Sequence, residues 1–85
     1  MNPEQFKKIR KKLGLTQQDL SVVLCLSAKK AVGNIETGFR RPSKLSAVLM
    51  SYLGELSNRK ANELIANIKK HSLRLEREEY GRNNE

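Results

Sequence analysis

Lys29, Lys30 and Asn34 stand close together in the stretch SAKKAVGNIETGFRRP, residues 27–42. Their chemistry is hydrogen bonding rather than bond making. A lysine ammonium donates to guanine O6 and N7 or to a phosphate oxygen, and a carboxamide carries the donor and acceptor that match adenine N6 and N7. Asn34 follows Lys30 by one helical turn, so a helix would set both on one face. Gly33 removes a side chain at the point of closest approach, at a cost of roughly 1 kcal/mol of helix propensity relative to Ala. Arg40, Arg41 and Lys44 come immediately afterwards. Such residues suit phosphate contacts, which fix register without reading sequence. The plain alternative for Lys29 and Lys30 is a solvated face, with Gly33 as neutral drift.

Bond-making chemistry has little to work with. The chain has one His, His71, and one Cys, Cys25. They cannot supply the ligand count of a usual zinc site, and there is no grouping of Ser, His and acid and no Gly-rich phosphate loop. The expectation is a protein that is not an enzyme and needs no cofactor or metal. Cys25, between Leu24 and Leu26, reads as a small buried apolar residue rather than a redox switch. His71 reads as a tolerated surface or interface residue.

Charge supports an acidic partner. The 85 residues carry 17 Lys and Arg against 9 Asp and Glu, a net charge of +8. Residues 1–53 hold ten basic and three acidic residues, a balance of +7, whereas residues 54–85 hold seven and six, a balance of +1. Nucleic acid ranks ahead of an anionic membrane, because no strongly amphipathic helix rich in Trp or Phe is present. The amino-terminal MNPEQFKKIRKK is charged too early for a signal peptide, no apolar run approaches the roughly 20 residues that span a bilayer, and a single cysteine forms no internal disulfide. A cytoplasmic protein without a membrane partner is expected.

The elements that must position these residues are helical throughout. Asn2 and Pro3 start a first helix, about residues 3–13, whose Phe6, Ile9, Arg10 and Leu13 share a face before Gly14. Thr16 caps a second, with Leu20, Val23 and Leu24 inward, ending near Cys25. Ser27 caps a third, with Ala28, Ala31, Val32 and Ile35 inward and Lys29, Lys30, Gly33, Asn34 and Thr37 outward, closed by Gly38. Ser43 caps a fourth, whose Leu45, Val48, Leu49 and Tyr52 or Leu53 would complete the core before Gly54 punctuates it. Pro42 ends the connector between them. Ser57 opens a fifth, to about Arg77, with a narrow apolar stripe. Residues 79–85 have no apolar payload and read as a disordered tail.

Two short helices joined by a tight turn, the second polar outward and followed by Arg-Arg, have the arrangement of a helix-turn-helix. The segments LGLTQQDLSVVLCLS and NIETGFRRPSKLSAVLMSYL together resemble the Xre/Cro/cI-type helix-turn-helix family of phage and bacterial repressors, over about residues 6–53. The resemblance implies an all-α, five-helix, lambda-repressor-like fold, with a DNA-binding domain at 1–54 and a carboxy-terminal helix at 55–78. It implies that Gln17 contacts a phosphate, that Ser27 caps the third helix and touches the backbone, and that outward residues of that helix read bases. Glu36 would serve structure by bonding nearby polar groups. The base-reading set is then Lys29, Lys30, Gly33 and Asn34, and the backbone set Gln17, Ser27, Thr37, Arg40, Arg41 and Lys44. Lys7, Lys8, Arg10, Lys11 and Lys12 are weaker backbone candidates. Two departures stand out: Cys25 occupies a turn position where the family usually has Gly, and Glu36 lies nine steps after Ser27 where the family usually has eight.

A single helix-turn-helix reads few base pairs, and a two-fold dimer reads two half-sites about one helical turn apart. Leu64, Ile65, Ile68 and Leu75 offer a surface for such pairing; they equally suit docking on the chain's own core. The expected partner is double-stranded DNA with an inverted-repeat operator, bound by a homodimeric repressor. An antitoxin-like module, its carboxy-terminal arm folding on a partner protein, is the alternative. Single-strand RNA recognition is disfavoured by the shortage of aromatic stacking residues.

Overall fold

A computed structural model describes residues 1–80. The first helix, α1 (Pro3–Lys12), starts where Asn2 and Gln5 cap each other reciprocally, with Pro3 at the first helical position. Pro belongs there because its missing N–H would have no partner in that turn. A second capping box, Thr16 with Asp19, opens α2 (Gln17–Val23). Then follow α3 (Lys29–Glu36), α4 (Lys44–Glu55) and α5 (Asn58–Leu75), the last two capped by the hydroxyls of Ser43 and Ser57. No strand occurs among the described residues. A π-helical turn, Glu76–Tyr80, continues α5. The remainder of the tail expected from 79 onward lies outside the described residues.

One core joins the five helices: Phe6 and Leu13 from α1 and its cap, Leu20, Val23 and Leu24 from α2, Val32 and Ile35 from α3, Met50 and Leu53 from α4, Ala61 and Ile65 from α5. Burying each large side chain contributes roughly 1.5–3 kcal/mol. Helix α1 packs on α3 and α4, and α2 packs on α3 and α5. Asp19 and Lys69, 3.7 Å apart, add an ion pair between α2 and α5. The stripe of α5 is therefore largely used at home. Ile65 is buried, Leu64 and Ile68 are half-buried against the core, and Leu75 stays exposed.

Helix α4 is turned away from the expected register. Its buried residues are Ser46, Met50 and Leu53, with Leu49 half-buried, while Leu45, Val48 and Tyr52 face outward at 69%, 55% and 53% exposure. The helix is apolar around most of its circumference, so periodicity alone does not choose a face. Small residues do. Gly54 lies inside α4 instead of ending it, and a Cβ there would fall 3.2–3.3 Å from three atoms of Ile9. The absence of that carbon lets α1 and α4 approach, and Lys12 Nζ donates to the Gly54 carbonyl.

The α2–α3 turn explains both departures from the family pattern. Cys25 has φ +56°, the left-handed conformation that glycine adopts without penalty. It is exposed, not buried as expected, because the turn points its side chain away from the core and to 4.0 Å from the Ser72 hydroxyl. Replacing Cys25 with Gly is expected to raise stability by about 1 kcal/mol, the usual penalty of a side chain in this conformation offset in part by glycine's freedom in the unfolded chain. Urea titration would measure it, and an unchanged midpoint would mean the turn carries no strain. The amino-terminal cap of α3 is Ala28, which makes no side-chain cap, and not Ser27. Glu36 is eight steps from Ala28, the family's usual spacing. The residues between the left-handed Cys25 and the Ala28 cap lie outside both helices, so α3 begins at Lys29.

Candidate nucleic-acid interface

With Val32 and Ile35 buried, the opposite side of α3 presents exposed Lys29 and Lys30, together with exposed Thr37 and half-buried Gly33 and Asn34. The helix closes through Gly38 at φ +84°, which returns the Arg40 N–H to the Asn34 carbonyl at 3.1 Å. Thr37 also donates its hydroxyl to that carbonyl, at 3.2 Å. The connector is thus folded back against the last turn of α3, not left trailing from it. Lys30, Asn34, Arg40 and Arg41 share one open groove with Ser27 and Ser43. Lys44 begins α4 beside it. Geometry accordingly gathers Ser27, Lys30, Asn34, Arg40 and Arg41 at one groove, while Lys29, Gly33 and Thr37 lie on the neighbouring strip of the same helix.

Gln17 and Gly33 meet each other. A Cβ on Gly33 would lie 3.9 Å from both amide atoms of Gln17, an ordinary contact distance, so packing between α2 and α3 does not itself require glycine. The Gln17 amide nitrogen donates to Glu36 Oε1 at 3.1 Å. A carboxamide nitrogen has two N–H donors, so the second stays available to a phosphate.

Glu36 is the anchor of the arrangement. Arg10 Nε lies 2.5 Å from its Oε2 and Arg10 Nη2 3.1 Å from its Oε1, a two-pronged contact with both side chains largely buried. Arg10 Nη1 donates to the Leu15 carbonyl at 2.9 Å. One carboxylate therefore ties α1, the α1–α2 turn and the first residue of α2 to the end of α3. Burial alone would push the Glu36 carboxyl up, but hydrogen bonds from Arg10 and Gln17, with the positive charges of Arg10 and Lys7, outweigh it and hold it below the ordinary value. Arg10 is turned inward by this pairing, with its side chain only 12% exposed, whereas Lys7, Lys8, Lys11 and Lys12 remain at the surface.

The helix-turn-helix family model matches residues 6–51, more than half the chain, and the matched segment runs from Phe6 in α1 to Ser51 in α4. The protein belongs to the Xre/Cro/cI-type helix-turn-helix family. It is a DNA-binding regulator with a small lambda-repressor-like fold, built of five α-helices among the described residues. No curated protein and no solved structure matches the chain. Among the described residues, no helix of this regulator is long and apolar enough to cross a membrane.

One residue escaped the sequence reading. Phe39 is 75% exposed in the connector, and the Arg40 guanidinium carbon sits 5.9 Å from its ring centre. A large aromatic between Gly38 and Arg40 was the available signal, since a solvated connector has no use for one. The stacked ring holds Arg40 on the side of the groove.

Proposed function

We propose that the protein is a small homodimeric repressor, acting in the cytoplasm of a phage or bacterial host, that occupies an inverted-repeat operator and blocks polymerase access. Each copy lays α3 in a major groove. Lys29, Lys30, Gly33 and Asn34 meet base edges there, and Gln17, Ser27, Thr37, Arg40, Arg41 and Lys44 hold the flanking phosphates. The observation that carries this reading is the outward strip of α3 continuing into a connector folded against it, so that base-directed and phosphate-directed groups line one groove. No effector domain is needed for repression by occupancy.

In vitro selection from random duplex DNA at near-physiological salt tests it. The expected result is enrichment of an inverted repeat with half-sites about ten base pairs apart. Salt-sensitive binding with no enriched sequence would count against the reading.

A further inference from the structure

We infer that a second copy of this chain docks on the outer face of α4, through Leu45, Val48 and Tyr52, in an antiparallel pairing about a two-fold axis. The inference supplies the symmetry that an inverted-repeat operator demands, and it rests on that reading. Leu45, Val48 and Tyr52 follow each other at steps of three and four, so they form one continuous stripe, and Glu55 extends it by a further step of three. None of the three serves the core, which α4 reaches through Ser46, Met50 and Leu53. Beside the stripe runs an open groove of about 880 Å³ between α1 and α4, lined on the α1 side by Met1, Gln5, Lys8 and Ile9. A ridge flanked by a hollow is the shape that lets two identical faces interlock.

Charge selects both the occupant and the direction. Lys44 is the first residue of α4 and Glu55 the last, and both lie along the same groove. In an antiparallel pair, Lys44 of each copy meets Glu55 of its mate, twice over. A parallel pair would set Lys44 against Lys44 and Glu55 against Glu55. Val48 lies near the midpoint between Leu45 and Tyr52, so the two-fold axis passes close to it and each Val48 faces its symmetry copy. This self-complementary order of plus, apolar and minus is what a second copy matches.

Sedimentation equilibrium of the full chain, with and without a two-half-site operator, tests the inference. The wild-type protein is expected to dimerise, and Val48→Glu, which sets two buried carboxylates face to face at the axis, to weaken self-association roughly 30-fold or more. Helical circular dichroism should stay unchanged, since the residue is exposed. If that variant fails to fold, the charge pair decides. Lys44→Glu and Glu55→Lys should each weaken pairing about two- to fivefold, and the double variant should restore it, although not the phosphate contact of Lys44. A dimer indifferent to Val48→Glu, or a double variant no tighter than the singles, overturns the inference. So does a dimer broken by Leu75→Asp on α5 and not by Val48→Glu, an outcome that leaves the paired-operator reading intact. A wild-type chain that stays monomeric both free and on the operator overturns the pairing altogether. Conversely, an α4 dimer that selects no DNA sequence supports this surface while removing the operator reading.

Discussion

Glu36→Ala is expected to lower the stability of the domain by about 3–5 kcal/mol, because it leaves the largely buried Arg10 guanidinium without its counter-charge. For a domain of this size that is a large fraction of the total. The Arg10→Ala change should cost a similar amount, and the double variant much less than the sum, since once one partner is gone the other contributes only its own desolvation. Urea unfolding followed by circular dichroism would give all three values. Additive losses would mean that the two residues act through separate neighbours.

The same carboxylate gives the fold a pH signature. Its folded-state value is held below the ordinary one near 4.5, so the folded form binds the proton less readily than the unfolded chain does. The stability it contributes is therefore complete above about pH 4.5 and is lost as pH falls through the lower, folded value. Asp19 shifts in the same direction, held low by hydrogen bonds from the Thr16 backbone and hydroxyl, so acid weakens the wild type through more than one group. Subtracting the Glu36→Gln profile from that of the wild type isolates the Glu36 part. A difference that stays flat on acidification would show that Arg10 does not favour the charged form.

Much of this arrangement was legible in the chain. Caps and stops such as Asn2, Thr16, Ser43, Ser57 and Gly38 depend on local hydrogen bonds and on backbone conformation, which a few residues determine by themselves. The outward strip of α3 was readable because Val32 and Ile35 are the only large apolar residues in that helix, leaving one possible inner face. Helix α4 had no such asymmetry, and its orientation was settled by Gly54 against Ile9, a contact between residues far apart in sequence. Residue type favours Ser27 over Ala28 as the cap, since a serine is the better cap in isolation; the helix nevertheless starts after Ala28, which follows the left-handed turn at Cys25. The role of Arg10 was hidden for a different reason. It sits within a run of basic residues, and only the tertiary approach of Glu36 separates it from Lys8, Lys11 and Lys12.

Asn34→Ala is expected to relax preference at a single base pair by roughly 1–3 kcal/mol, with little change in binding to unrelated DNA. The start of α3 at Lys29 underlies this: it puts Lys30 and Asn34 one turn apart beside the same groove, with Arg40 and Arg41 behind them. Arg41→Ala should behave in the opposite way, weakening every sequence nearly equally and reducing the salt dependence by about one unit of slope, because a phosphate contact releases counterions whatever the bases are. The pair of variants is diagnostic because the two side chains are neighbours on one surface, so any general loss of folding would affect both alike. Competition binding against a panel of operators carrying single base changes, repeated at several salt concentrations, separates the two effects. If Asn34→Ala lowers affinity uniformly and shifts the salt slope, its amide faces the backbone. Base reading would then belong to the Lys29 side of the helix, rotated toward Gly33 and Thr37.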